Sequence, residues 1–149
     1  MRHRNHSKRL SQKPHHARLI QRNLVTSLLL YERVRTTKKR ASVVRPLVEH
    51  VLTIGKTARP DLAIRRINEV VTDRNACRKI LEVFKDRYKT RSGGYTRMVP
   101  VGMRGGDGAK LVDLMLVDGV GIDTGKPAQK KEKTKNPKRR VKTPSVSAA

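Results

Sequence analysis

The sequence is poor in acidic, aromatic and cysteine residues. Its 149 residues include 12 Asp and Glu against 36 Lys and Arg, which gives a formal net charge of +24. Aromatic residues make up 3% of the chain and there is no Trp, which argues against a large aromatic pocket for an organic substrate. The single cysteine, Cys77, excludes an internal disulfide and a cysteine-based zinc site within one chain. We therefore expect no cofactor, no bound metal and no small-molecule substrate.

Long apolar runs are missing as well. No stretch approaches the roughly 20 apolar residues that span a membrane, and the basic segment 1–6 lacks the apolar part of a secretory signal. These features predict a cytoplasmic protein without a membrane partner. A compact chain with this excess of positive charge repels itself unless an anionic partner offsets the charge, so nucleic acid is the predicted partner.

The positive charge is concentrated at the two ends of the chain. Residues 1–31 contain no carboxylate, and residues 126–149 contain nine Lys and Arg against one Glu. The second of these segments also lacks Phe, Tyr, Ile and Leu, so it cannot bury enough apolar surface to fold alone. The predicted organisation is a basic RNA-binding arm at 1–13, a globular α/β domain at 14–118 and a disordered lysine-rich tail at 119–149.

Helical spacing of apolar residues predicts about four helices in the central part. The second helix, over 41–55, contains Pro46, which we expect to kink or split it. The last covers 77–88 and ends before two glycines. In the first helix, from Pro14, and the third, from Pro60, the residues predicted to face inward are Ile20, Leu24, Leu28, Tyr31, Leu62, Ile67, Val70 and Val71.

Alternating apolar residues predict the strands. Segment 33–37 is short and β-branched, and segments 95–103 and 112–116 flank a glycine-rich loop typical of a hairpin. The predicted fold is α+β with two layers, in which about four helices pack on a small, mostly antiparallel sheet.

Catalytic interpretations find little support in the residues. Four histidines lie among the first sixteen residues, but that segment has no acid and would repel a metal dication. Asp107, Asp113, Asp118 and Asp123 could serve as magnesium ligands of a small nuclease, yet no base is obviously paired with them. The glycines at 102–108 lack the Lys-Ser/Thr ending of a phosphate-binding loop. We expect no enzyme, and a nucleoid-type DNA-compacting protein is the main alternative to an RNA-binding protein.

Three separated motifs resemble the bacterial-type large-subunit ribosomal protein seventeen family, and the resemblance covers residues 1–118. It departs from the family at Ser42-Val43, where a Lys-Glu pair is usual, and at Met115, where Glu is common. The matching segments are Met1-Arg2-His3-Arg4, His16-Ala17-Arg18, 22–28, 32–37, 40–41, 49–56, 91–97 and 104–109.

The resemblance implies a structural constituent of the large ribosomal subunit. Such a protein binds and braces ribosomal RNA by neutralising phosphates, on the outer side of the subunit near the polypeptide exit tunnel. The implied partners are large-subunit ribosomal RNA and neighbouring ribosomal proteins. A bacterial cytoplasmic ribosome is favoured, and an organellar one stays open.

The candidate RNA-binding residues combine cationic forks with glycines that permit close backbone approach. Tyr95 is included as a stacking or hydrogen-bonding group. The full set is Arg2, His3, Arg4, Lys8, Arg9, Arg18, Arg22, Arg35, Lys39, Arg40, Gly93, Gly94, Tyr95, Arg97 and Arg104.

Overall fold

The computed structural model describes residues 8–119 of the chain. Most of the predicted arm (1–7) and nearly all of the predicted tail (120–149) therefore lie outside the described residues. In chain order the elements are α1 (Pro14–Tyr31), β1 (Arg33–Thr37), α2 (Lys38–Thr57), α3 (Pro60–Asn68), α4 (Arg74–Lys79), a π-helical turn (Ile80–Phe84), α5 (Lys85–Arg87), β2 (Thr96–Met103) and β3 (Lys110–Leu116).

The three strands form one antiparallel sheet in the order β1-β3-β2. Because α4, the π-helical turn and α5 follow one another without a break, they act as one helical unit, the fourth beside α1, α2 and α3. The predicted α+β fold is confirmed. A bulge between Pro100 and Gly102 shifts the pairing of β2 by one residue, and Gly102 takes a φ of 152° there.

Helix α2 is central to the packing. It contacts all three strands, α1, α3 and the π-helical turn. Gly55 near its C-terminal end lies against Ile80, where a larger side chain would collide with the isoleucine γ2 methyl group. The core residues between α1, α2 and the sheet are aliphatic, and Val25, Leu28, Val44, Val48 and Leu114 are all at most 2% exposed.

Pro46 does not split α2, which continues from Lys38 to Thr57. The proline ring is exposed, so the Ser42 carbonyl that loses its helical partner lies on the solvent side, where water can satisfy it. The predicted split of this helix is therefore wrong.

Two residues predicted to face inward are exposed. Tyr31, at the last position of α1, is 75% exposed because the chain turns sharply into β1 at Glu32, which has a φ of 60°. Leu62 is 49% exposed, and the inward face of α3 is formed instead by Ala63 and Ile67. Within residues 8–119 no helix is both long and apolar enough to cross a membrane.

Candidate nucleic-acid interface

The end of the basic arm lies against the first half of α2. The Lys39 ammonium group donates a hydrogen bond to Ser11 Oγ at 2.5 Å. Lys8 lines a surface cleft together with Arg45, Pro46 and Glu49 of α2. This packing brings cations from the arm and from α2 onto one exposed surface.

Glu49 connects this surface to the glycine-containing loop before β2. Its Oε2 accepts the backbone N–H of Gly94 at 3.2 Å, and its Oε1 accepts the Thr96 hydroxyl at 2.8 Å. Arg45, one helical turn earlier, donates to the same carboxylate at 3.5 Å. A single carboxylate therefore positions the loop beside the basic face of α2.

The loop is held from its other side as well. Lys56 donates to the Arg91 carbonyl at 2.7 Å, and the Tyr95 hydroxyl lies 3.3 Å from the same oxygen. Gly93 and Gly94 are exposed, and apart from the glycine and its two chain neighbours no atom lies within 4 Å of the position a Cβ would occupy at either residue. The loop thus presents bare backbone in a fixed conformation, to which a phosphate or ribose can approach closely.

Arginines occupy the solvent-facing side of the sheet. Arg35 lies opposite Asp113, while Arg33 and Arg97 lie opposite Met115 on its two sides. Asp113 accepts Arg35 Nε at 2.8 Å and Arg33 Nε at 3.2 Å. The Arg35 hydrogen bonds, with those of Arg33, hold the pKa of Asp113 below its ordinary value although burial acts in the opposite direction.

At the tip of the hairpin, Arg104 pairs with Asp107 in the turn. Arg104 Nε donates to Asp107 Oδ1 at 2.9 Å, and the guanidinium lowers the pKa of this carboxyl to about 2. The Ala109 N–H also donates to Asp107. Half of the Arg104 side chain stays exposed, so the pair shapes the turn while leaving a cation at the surface.

The two candidate arginines of α1 have different environments. Arg18 is exposed, whereas Arg22 is half-buried and donates from Nε to the Val70 carbonyl at 3.3 Å. Arg22 therefore ties α1 to the segment after α3. Arg40 is half-buried in the first turn of α2.

The structure brings several predicted residues together and separates others. Lys8 lines a cleft on α2 with Glu49, which binds the glycine loop, and Lys39 of the same helix is bonded to Ser11 of the arm. Arg35 and Arg97 share the outer face of the sheet. Lys8 and Arg9 are exposed at the described end of the arm. Arg2, His3 and Arg4 lie outside the described residues.

Tyr95 does not offer the stacking surface expected of it. The residue is 1% exposed, and its ring packs on Tyr88 with 4.9 Å between centroids. Because the ring completes the core beneath the loop, it has no free face for a base. Its hydroxyl orders the loop instead.

Four residues of these surfaces are not among the predicted RNA-binding residues: Arg33, Arg45, Glu49 and Asp113. Arg33 and Arg35 are two residues apart in β1, so the alternation of side chains along a strand predicts that they share one face. The partners Glu49 and Asp113 lie 45 and 78 residues from the groups they bind, Gly94 and Arg35, and no local pattern reveals such contacts.

Within residues 8–119 no group of three or more His, Cys, Asp or Glu side chains is placed to hold a metal ion. The carboxylates of Asp107 and Asp113 are bound by arginines, which compete with any cation for the same oxygens. Cys77 is buried and desolvation raises the pKa of its thiol, which disfavours the reactive thiolate.

Comparisons with a family model and with individual proteins all give the same family. A sequence model of the family described as ribosomal protein L17 matches residues 20–117. The chain is 46% identical over 111 residues to the large ribosomal subunit protein bL17 of Desulforudis audaxviator (strain MP104C), covering 74% of this chain and 97% of that protein. It is 40% identical over 119 residues to the protein of the same name from Myxococcus xanthus (strain DK1622), covering 79% and 84%. The Staphylococcus haemolyticus (strain JCSC1435) protein is 44% identical over 108 residues, covering 65% and 86%.

Proposed function

Because the chain belongs to the ribosomal protein L17 family, we propose that it is a structural constituent of the large ribosomal subunit that binds and braces ribosomal RNA. The family is one of structural ribosomal proteins. The setting of this role is the cytoplasmic ribosome, where neighbouring ribosomal proteins are further partners.

The observation that carries the RNA-binding part is the meeting of three sequence-distant segments at one basic surface, here called the α2 surface. It consists of Lys8, Lys39, Arg45 and the loop residues Gly93 and Gly94. Cations and bare backbone side by side suit a phosphodiester chain, since cations offset phosphate charge and glycines allow close contact.

Binding at such a surface would be driven largely by the release of counterions from RNA. Each phosphate neutralised by Lys or Arg frees condensed cations, which makes the affinity fall steeply with salt concentration. Because the α2 surface joins the arm, a helix and a loop, an RNA segment lying across it would be held in one arrangement. That is how the protein would brace RNA.

We also propose that the protein lies on the outer side of the subunit near the polypeptide exit tunnel. Support for this finer placement comes from the family resemblance of residues 1–118. Density for the chain in purified large subunits tests the placement, and density far from the tunnel opening would contradict it.

The RNA-binding proposal is tested with the double variant Lys39→Gln/Arg45→Gln. We expect the slope of log K against log salt for binding to large-subunit ribosomal RNA to become shallower by about one to two. Binding is measured by filter retention across a salt series, with folding checked by circular dichroism.

The matched control is Arg78→Gln/Lys85→Gln, which removes the same charge from the exposed face of the helical unit formed by α4 to α5. Its slope should stay near that of the wild type. Equal losses in both double variants would contradict a localised interface, and tighter binding of the wild type to duplex DNA than to ribosomal RNA would favour a DNA-compacting protein.

A further inference from the structure

The outer face of the sheet carries a second cationic surface, distinct from the α2 surface, which we call the sheet face. It is formed by Arg33 and Arg35 of β1, Asp113 and Met115 of β3, and Arg97 of β2. Three arginines and one aspartate give it a formal charge of +2. The opposite face of the same strands, with Val34, Leu114 and Met98, packs against the helices.

The burial of the charged groups on this face is uneven. The Asp113 side chain is 3% exposed, whereas those of Arg33 and Arg35 are 58% and 57% exposed. Both oxygens of the carboxylate accept hydrogen bonds from arginine, Oδ1 from Arg35 and Oδ2 from both arginines. The aspartate is thus covered by two guanidinium groups whose other edges face solvent.

The donors that remain point to an external anion. A guanidinium has five N–H groups, and Asp113 uses only the Nε and Nη2 sides of each arginine. Among residues 8–119 no acceptor is bonded to Nη1 of Arg33 or Arg35. The Cα atoms of the two residues are about 7 Å apart along the strand, and both guanidinium groups converge on the same carboxylate.

Without the carboxylate, these two arginines would repel each other. Like charges two residues apart on one strand face favour diverging side-chain conformations, and each long side chain has considerable rotamer entropy. The carboxylate offsets the repulsion and fixes both planes, so less order has to be gained when an anion binds.

We propose that Asp113 is a positioning residue that holds Arg33 and Arg35 as a paired phosphate-binding fork, through which the sheet face binds the backbone of ribosomal RNA. This inference rests on the proposed function and adds to it a second RNA-binding face and a role for an acidic residue. Arg97 supplies a third cation beside the fork.

The test is Asp113→Asn, which keeps the side-chain shape but raises the net charge of the protein by one. General electrostatic attraction predicts tighter RNA binding for this variant. If Asp113 instead positions the two arginines, its replacement weakens RNA binding. We expect the affinity for large-subunit ribosomal RNA to fall about tenfold at fixed salt. Affinity for an unrelated duplex should stay equal or rise, a difference that a purely structural defect would not produce.

Glu82→Gln is the matched control because it makes the same charge change at a side chain that is 68% exposed and pairs only loosely with Arg78. It should bind ribosomal RNA at least as tightly as the wild type. Asp113→Asn binding equal to this control would overturn the positioning role.

Arg33→Lys and Arg35→Lys keep the inference testable if Asp113→Asn fails to fold. Each retains the charge and an ion pair with Asp113 but loses the planar fork, so we expect RNA binding to weaken several-fold. Unchanged binding in both would overturn the proposal and leave the sheet face available for a neighbouring protein. If the wild type does not bind ribosomal RNA, the proposed function fails. If the wild type binds and the variants bind equally well, only the further inference fails.

Discussion

At the scale of single residues, Glu32 joins helices that are distant in sequence. It is 8% exposed and accepts Lys79 Nζ at 2.7 Å and Arg87 Nη1 at 2.8 Å. Burial raises the pKa of its carboxyl, but the hydrogen bonds from Arg87 and Lys79 outweigh this and the pKa lies below the ordinary value. One carboxylate therefore ties the end of α1 to α4 and to α5, on either side of the π-helical turn.

Glu32→Gln should destabilise the protein by about 2–3 kcal/mol at pH 7, because charge-assisted hydrogen bonds to two cations are weakened. Since the folded pKa is depressed, the contribution of Glu32 is fully present above the ordinary value of 4.5 and is lost as the pH falls below it. Urea unfolding at pH 7 and at acidic pH should show a smaller acid dependence for the variant than for the wild type.

The control for this experiment is again Glu82→Gln, whose exposed pair with Arg78 should contribute less than about 1 kcal/mol. A Glu32→Gln protein with wild-type stability at pH 7 would contradict this prediction, because it would mean that Lys79 and Arg87 do not need the Glu32 carboxylate.

At the scale of elements, the crossing of α2 and the π-helical turn depends on a residue without a side chain. Gly55 is buried against Ile80, and an added Cβ would collide with the branched Ile80 side chain. Ile80 is the first residue of the π-helical turn.

Gly55→Ala is expected to lower the free energy of unfolding by about 1–2 kcal/mol, the cost of overpacking exceeding the better helix propensity of alanine. Chemical denaturation measures the change. Gly105→Ala is the control, since open space surrounds that position in the hairpin loop, and its stability should differ from the wild type by less than about 0.5 kcal/mol. A Gly55→Ala protein more stable than the wild type would contradict this, because it would mean that α2 and the π-helical turn can move apart without a loss of stability.

Local sequence patterns were sufficient to predict the helices and strands but not the long-range side-chain contacts between them. The strands at β1, β2 and β3 and the four helical units follow from apolar spacing, because burial of one face imposes that spacing. The predicted split at Pro46 and the predicted inward position of Tyr31 were wrong, because they depend on which side of the helix faces solvent and on where the chain turns. The bonds of Glu32 to Arg87, 55 residues away, and of Arg33 to Asp113, 80 residues away, arise only from tertiary packing.

At the scale of the whole molecule, the two cationic ends of the chain should differ in their roles. Residues 1–13 mix Arg, His, Asn and Ser and lead directly into α1, and their described part is bonded to α2 through Ser11. Residues 126–149 follow a glycine-containing connection and carry mostly lysines. A tethered segment with guanidinium forks loses less entropy on binding and gains more specific geometry.

Deleting residues 1–13 should therefore abolish stable incorporation into large subunits. Deleting 126–149 should only slow association and flatten its salt dependence, because interchangeable lysine contacts act mainly through screened charge. Quantitative mass spectrometry of purified subunits measures incorporation. Loss of the tail-deleted protein together with retention of the arm-deleted protein would reverse this assignment.

The central claim, that the chain is a ribosomal RNA-binding constituent of the large subunit, is tested most directly by sedimentation. Cell extract containing the tagged full-length protein is separated on gradients at moderate and at high salt, and each fraction is probed for the protein. We expect the protein to co-migrate with the large subunit at moderate salt and to be released only as salt is raised further. Protein found mainly with the nucleoid, or free at the top of the moderate-salt gradient, would contradict it.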